Sequence, residues 1–324
     1  NLNERIKALR TALEEKEANE LLKKAEEAVA KAKETKSTRD ITVAKKAVSL
    51  VKNEEKKKEL TAQIEELEVS IAEEAVKKAE ESARYNSKST SKDITAAEKM
   101  VDGISNRNKY EKEISNLNAR IKAMKSYQEA IKVLEDTKKN RNEQNKEAAQ
   151  RALDEFGRDA QKVKEKDEDV YKDVYEKMET YIKDEIGAIE EYLADEEQKV
   201  EDANTAVKNA EDKMKVESNP SNDDIKNAQE TIHKVSDRTK KAALQKRLDA
   251  VTAAMAANSA VERAEAYTDS SSLKEAEKAL NNLTRTNSYL NIIKDVGNRI
   301  AKLNDKLNVS KKVDEATKLV QKAI

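Results

Sequence analysis

The stretch of sequence that decides the fold is LTAQIEELEVSIAEEAVKKAEES, at residues 60–82. Its apolar residues recur three or four positions apart, the spacing that places side chains on one face of an α-helix. In the first part these residues are Leu60, Ile64 and Leu67, and in the second part Ala79 follows Ala75 and Val76 at four and three positions. Because the stretch contains neither Gly nor Pro, nothing in it ends a helix. It therefore predicts one long amphipathic helix.

The composition extends this prediction to the whole chain. Of 324 residues, 40% are charged and only 3% are aromatic, and there are just four Gly and one Pro. Sheets and tight turns need Gly, Pro and β-branched strands, whereas Ala, Lys, Glu and Leu favour helices. We expect an all-α fold whose cores, built from Ala, Val, Ile and Leu side chains, are thin.

The charge balance and the residues that are missing exclude several function classes. The chain has 64 basic and 65 acidic residues, so no net field attracts nucleic acid or an anionic membrane. No apolar run approaches the roughly 20 residues that a membrane-spanning helix needs. The absence of Cys removes disulfides, thiolate metal sites and cysteine nucleophiles.

An internal repeat organises the chain. Four segments share one pattern of three amphipathic helices, here called A, B and C. The segments begin at Ala28-Val29, Ala75-Val76, Ala206-Val207 and Ala260-Val261. A longer, divergent unit begins near Ala130-Ile131. Capping signals mark the start of helix B at Ser91–Asp93, Ser221–Asp223 and Asp269–Ser272.

No break separates helix C of one unit from helix A of the next. The stretches without a stop are Leu60–Ser82, Tyr110–Lys138, Ala242–Ala266 and, apart from Gly297, Ile292–Lys318. We therefore expect an elongated tandem array of three-helix bundles joined by long continuous helices, as in a spectrin-like rod. The predicted units are residues 22–74, 75–129, 130–205 (longer and divergent), 206–259 and 260–312. Residues 1–21 and 313–324 are predicted to be the end and the start of truncated units of a longer array.

Few residues have the pattern of a catalytic or metal site. His233 is the one histidine, and no second ligand stands at metal-binding spacing from it. The acidic residues Asp167, Glu168, Asp169 and Asp173 have two interpretations: weak binding of a divalent cation, or complementing a helix dipole. There is no phosphate loop or nucleophile elbow. We predict no enzymatic activity, no cofactor and no metal site.

Aromatic residues are concentrated in the divergent unit. It contains the only Phe, Phe156, and four of the nine tyrosines: Tyr171, Tyr175, Tyr181 and Tyr192. An exposed aromatic stripe would indicate partner binding, whereas a buried one would fill the core of a longer bundle. Gly187, in the middle of a predicted helix, indicates close packing or a hinge.

The repeats resemble helical segments of Gram-positive surface proteins, namely the helical arms of S-layer proteins and the stalks of wall-anchored adhesins. The residues that carry the resemblance are Ala75-Val76, Ala206-Val207, Ala228, Ala243-Leu244 to Val251, and Ala260-Val261. It covers most of residues 22–320. It implies a rod-like, secreted structural segment at the bacterial cell surface that holds other domains away from the wall.

Two other functions stay open at this point. A helical binding module would capture a host protein or a cell-wall polymer, and an intracellular coiled-coil scaffold would place the chain in the cytoplasm. Self-association is compatible with each of these functions. Nucleic-acid binding and membrane insertion are not expected.

Overall fold

The computed structural model describes residues 1–85, 87–216 and 218–323. Contacts divide the chain into two compact units, Asn1–Glu190 and Glu191–Ile324. The first holds α1 (Leu2–Thr35), α2 (Thr38–Ser49), α3 (Glu54–Arg84), α4 (Thr90–Asp102), α5 (Glu111–Lys139), α6 (Glu143–Lys164), the short α7 (Glu168–Val170) and a π-helical segment (Tyr171–Tyr175). Helix α8 (Glu176–Lys213) contributes residues to both units, and the second also holds α9 (Asn222–Lys234), α10 (Arg238–Tyr267), α11 (Ser270–Thr286) and α12 (Leu290–Ala323).

The prediction of an all-α fold is confirmed. Among the described residues the only β-type pairing is an isolated bridge between Lys215 and Ser218. The long helices predicted across the C–A boundaries are also present, as α3, α5, α10 and α12. None of the described helices has the length and apolar composition that a membrane span requires.

Three bundles follow one another in the first unit. Helices α1, α2 and α3 pack together as the first bundle, and α3, α4 and α5 as the second. Helix α5 then packs against α6, and α6 against the π-helical segment, in the third. Helices α3 and α5 are therefore each shared by two bundles.

Helix α3 can be shared because two of its faces are apolar, one after the other. Leu60, Ile64, Leu67 and Ile71 belong to the core of the first bundle, together with residues of α1 and α2. The stripe then moves around the helix to a second buried set, which is Ala72, Val76, Ala79 and Ala83. Leu67, Glu68, Ile71 and Ala72 are all buried, so burial continues along α3 from the first bundle into the second.

The second unit repeats this arrangement with α10. Its residues Leu244 and Leu248 lie in a core with α9 and with Ala203, Ala206 and Val207 of α8. Its later residues, from Val251 to Ala264, lie in a core with α11 and α12. The residue boundaries of the five three-helix units, given above from the sequence, stay a prediction.

Side-chain caps fix the starts of three B helices, α2, α9 and α11, whereas α4 has no such cap. Ser221 and Asp224 form a capping box at α9, and Asp269 accepts hydrogen bonds from the amides of Ser271 and Ser272 at α11. The cap predicted at Ser91–Asp93 was placed too late, because α4 already begins after Ser89. The carboxylate of Asp93 pairs with Lys78 instead of capping the helix.

An acidic residue in the first turn of each of three B helices binds a lysine of helix A. The distances from lysine Nζ to carboxylate oxygen are 3.6 Å for Lys31–Asp40, 3.2 Å for Lys78–Asp93 and 2.6 Å for Lys213–Asp224. In each case the acidic residue directly precedes an isoleucine: Ile41, Ile94 or Ile225. The repeat therefore contains a polar position that fixes helix B against helix A.

Hydrogen bonds from Ser82 and Ser89, together with Lys78, lower the pKa of Asp93 to about 2. Since this pKa lies below its ordinary value of about 3.9, the ionised carboxylate stabilises the fold above about pH 4, and the contribution is lost as the pH falls towards 2. We predict that Asp93→Asn lowers the urea midpoint at about pH 6 and that the difference from wild type shrinks near pH 2. The exposed Asp305→Asn serves as the control, and an equal loss at both pH values would contradict the assignment.

Candidate functional site

A bidentate Glu–Arg pair joins helices A and C at the same position of three bundles. The distances from the arginine Nε to the carboxylate are 2.7 Å in Arg120–Glu80, 2.9 Å in Arg247–Glu211 and 2.8 Å in Arg299–Glu265, and a second nitrogen of each guanidinium binds the other oxygen. Each arginine directly precedes a buried aliphatic residue of helix C: Ile121, Leu248 or Ile300. Because two parallel hydrogen bonds join each guanidinium to its carboxylate, the pair fixes both the distance between helices A and C and their relative orientation.

The other two bundles use different polar partners at this level. Lys33 Nζ donates to Gln63 Oε1 at 2.8 Å in the first bundle. Lys138 Nζ lies 2.6 Å from Glu185 in the third, where the acidic residue is on the later helix. Gln63 and Glu185 again directly precede buried isoleucines, Ile64 and Ile186. The position is conserved along the chain as an interhelical polar contact, although the residue types change.

The pair in the second bundle is the one that is buried. The side chains of Arg120 and Glu80 are 3% and 4% exposed, whereas those of Arg247 and Glu211 are 39% and 28% exposed. The fully buried Tyr175 completes the group, because its hydroxyl donates to Glu80 at 2.7 Å and lies 3.0 Å from the carbonyl oxygen of Arg120. Burial, and then the charge of Glu80, raise the pKa of Tyr175 well above its ordinary value.

Tyr175 reaches this group from the third bundle through the π-helical segment. A π-turn holds one residue more than an α-turn, which rotates the side chains around it relative to a regular helix. Tyr175 is the last residue of the segment, and Met178 and Ile182 are buried after it. The second and third bundles are thereby joined by hydrogen bonds as well as by helix α5.

A second buried carboxylate joins the first bundle to the second. Glu68 of α3 accepts hydrogen bonds from the amide and hydroxyl of Ser105 at 3.0 and 2.7 Å, and it also pairs with Lys45 of α2. Met100 of α4 packs on the core of the first bundle beside it. In the second unit Glu196 similarly accepts from the amides of Ser236 and Asp237.

An aromatic pocket lies in the first unit between the end of α3, α5 and the start of α8. It has a volume of about 330 Å³ and is lined by Arg84, Tyr85, Tyr127, Lys177, Met178 and Tyr181. Tyr127 and Met178 are buried, whereas Tyr85 and Tyr181 are 76% and 42% exposed. The ring of Tyr127 contacts that of Phe156 at 5.3 Å between centroids. Burial, and then the nearby Tyr181, raise the pKa of Tyr127 to about 12.

The four tyrosines proposed from the sequence as partner-binding residues do not form one stripe. Tyr175 is a correction: it is fully buried and bonded to Glu80, so it fills the core and presents nothing to a partner. Tyr171 is partly buried, with its hydroxyl donating to Glu179 at 3.2 Å. Tyr181 lines the aromatic pocket, and Tyr192 is partly buried in α8.

Tyr85 and Tyr127, which lie beside Tyr181, were missed by sequence reasoning. Tyr85 stands at the end of α3 and Tyr127 on α5, both far from Tyr181 along the chain, and no local pattern brings the three together. The Glu–Arg pairs, in contrast, have a signal in the sequence. Each Glu lies directly after the last Ala of the Ala-Val-x-x-Ala motif.

Three of the four acidic candidates have structural partners. Asp167 accepts from the amide of Val170 as a helix cap, while Glu168 and Asp173 pair with Lys172 and Lys177. His233 is exposed. A Cβ added at Gly187 would meet no atom within 4 Å, so close packing does not explain this glycine. The part of the chain that the structure describes holds no group of three or more His, Cys, Asp or Glu side chains placed to bind a metal.

The chain was compared with protein-family models, curated proteins and solved structures. No protein-family model, curated protein or solved structure matches the chain.

The burial of Glu80 predicts an unequal response to two matched substitutions. Glu80→Gln leaves the charge of Arg120 buried without a partner, and we expect a loss of about 3–5 kcal/mol in the free energy of unfolding. Glu265→Gln removes the equivalent but more exposed pair and should cost about 1 kcal/mol or less. Urea unfolding followed by circular dichroism measures both losses.

A double variant separates the cost of an unpaired buried charge from the cost of altered side-chain packing. Glu80→Gln combined with Arg120→Met removes both ionic groups, and most of the lost stability should return. Equal losses for Glu80→Gln and Glu265→Gln would show that burial does not distinguish the two pairs.

Proposed function

We propose that the chain is a structural spacer segment of a bacterial cell-surface protein, of the S-layer or adhesin-stalk kind, which holds other domains away from the cell wall. The observation that carries this proposal is the sharing of helices. Helices α3 and α5 in the first unit, and α10 in the second, each belong to two consecutive bundles without a break. Catalysis in this segment is not part of the proposal.

A shared helix suits a spacer because it leaves no linker between bundles. Domains joined by loops move relative to one another by default, since few contacts cross their boundary. Here the boundary is a helix buried on successive faces, and bending it would break hydrogen bonds within the helix and expose apolar side chains. Such a junction keeps the distance between the two ends of a pair of bundles nearly constant.

Buried polar contacts add to this rigidity at the junctions of the first unit. Glu68 binds Lys45 in the first bundle and Ser105 in the second, while Tyr175 of the third bundle binds Glu80 in the second. Buried hydrogen-bonded groups are costly to separate because each would lose its partner. These contacts therefore oppose rotation of one bundle against the next.

A location at the cell surface is supported by the resemblance of the repeats to those of S-layer and adhesin proteins, and it is compatible with the absence of Cys. Labelling of intact and lysed cells of the source organism with an antibody against the chain tests this location. Labelling of lysed cells alone would favour a cytoplasmic scaffold instead.

The rigidity of the first junction can be measured directly. Because the chain has no Cys, Lys46→Cys in α2 and Lys112→Cys in α5 provide two specific spin-label sites on the first and second bundles. We predict one narrow distance distribution by double electron–electron resonance. Ser70→Pro, which interrupts α3 near its shared region, should broaden this distribution, because proline disrupts the helix at a cost of about 3 kcal/mol.

Ser70→Ala is the matched control, since Ser70 is exposed and alanine keeps the helix. It should leave the distribution narrow. A broad distribution in the unaltered chain would contradict a spacer function. The predicted elongated array is tested separately by small-angle X-ray scattering of the same protein.

A further inference from the structure

The aromatic pocket joins a concave apolar surface to exposed aromatic side chains, neither of which the packing of the helices requires. Tyr127 and Met178 form an apolar floor, and the exposed rings of Tyr85 and Tyr181 stand at its sides. Large exposed aromatic side chains beside a concave apolar surface are typical of interaction sites, where Tyr and Arg provide much of the binding energy. Only 3% of the residues in this chain are aromatic, yet three tyrosines line this one pocket.

The electrostatics of the rim favour a ligand with negative charge. Arg84 lies with its guanidinium carbon 5.8 Å from the centre of the Tyr85 ring. Its charge reaches the carboxylate of Asp173, whose pKa is lowered first by Lys177 and then by Arg84. Lys177 contributes a second cation, although Asp173 lies 2.7 Å from it. Lys138 lies 5.9 Å from the centre of the Tyr181 ring. Its charge is balanced by Glu185 and Glu135, so it adds no further positive charge to the rim. Arg84 and Lys177 together carry two positive charges against the one negative charge of Asp173, so the rim keeps a net positive charge that attracts a carboxylate from outside.

The size and the polar groups of the pocket restrict the ligand further. A volume of about 330 Å³ is near the lower end for small-molecule sites, so it has room for one large side chain or one ring. A sugar ring needs acceptors as well as donors for its hydroxyl groups. The lining residues that the structure describes include no carboxylate and no amide side chain. A flat aromatic side chain, which stacks on tyrosine rings and contacts a methionine sulfur, matches this lining better.

We infer that the pocket lined by Arg84, Tyr85, Tyr127, Lys177, Met178 and Tyr181 is a docking site for a protein partner that presents an aromatic residue next to acidic residues. The aromatic side chain enters between Tyr85 and Tyr181 and rests on Met178. The adjacent carboxylate pairs with Arg84. The site would allow a spacer to carry a second protein without interrupting its helices, and it does not depend on the spacer function being correct.

The probe for this site is the blocked peptide acetyl-Gly-Asp-Trp-Asp-Gly-amide. Because the chain has no Trp, the indole fluorescence of the peptide reports binding to the 324-residue chain without background. We expect saturable binding. We expect Tyr181→Ala and Arg84→Gln each to weaken it by about tenfold or more, as for residues at the centre of an interface. A peptide with Asn in place of both Asp residues should also bind more weakly.

Tyr267→Ala is the matched control, since Tyr267 is 72% exposed at the end of α10 and lies outside the pocket. Circular dichroism of each variant checks that the helices are intact. The inference is overturned if the peptide does not saturate, or if Tyr267→Ala weakens binding as much as Tyr181→Ala. It is also overturned if trigalacturonate, an anionic saccharide, binds at the pocket while the peptide does not.

Discussion

The structure depends on the burial of one helix on two successive faces. In α3 the side chains of Ile64 and Leu67 are buried in the first bundle, and those of Val76 and Ala79 are buried beyond it, in the second. Burial of apolar surface is the main favourable term in folding. A helix that contributes to two cores couples them, because disrupting it costs stability in both. The same constraint applies to α5 and to α10.

Small apolar side chains alone would define the register of these helices poorly. Ala and Val offer few distinctive shapes, so helices that carry them could slide by one turn at modest cost. The Glu–Arg pairs between helices A and C, and the Lys–Asp pairs between helices A and B, have defined geometry. A shift by one turn would leave Glu80 and Arg120 buried without partners, which is far more costly than a shift in an apolar stripe. The polar residues therefore specify the alignment that the apolar residues stabilise.

Much of the fold followed from local pattern. The spacing of Leu60, Ile64 and Leu67, with no Gly or Pro after them, was enough to predict α3, because helix formation and amphipathicity are local properties. The cap at Ser221 was also visible, whereas the start of α4 was misplaced by two residues because several Ser and Thr residues compete there. Helix ends are the least determined part of such patterns.

The polar groups at the junctions did not follow from local pattern. Tyr175 and Glu80 lie 95 residues apart, and Glu68 and Ser105 lie 37 residues apart. Periodicity tells which face of a helix is buried but not which helix it meets, so a core role and a partner-binding role for Tyr175 both stayed open. For the same reason the three tyrosines of the aromatic pocket could not be grouped. The Glu–Arg pairs could have been found from the sequence. When the repeats are aligned on their apolar residues, the Glu and the Arg recur at the same positions of three repeats.

Hydrogen–deuterium exchange, measured along the unaltered chain by mass spectrometry, tests the shared-helix account most directly. Residues 2–20 of α1 are helical and mostly exposed, so they give the reference for a helix that no bundle protects. Because α3 is buried in both bundles, we predict that the amides between Leu67 and Val76 exchange as slowly as those within the bundles on either side. A minimum of protection at this junction, with exchange as fast as in residues 2–20, would contradict it.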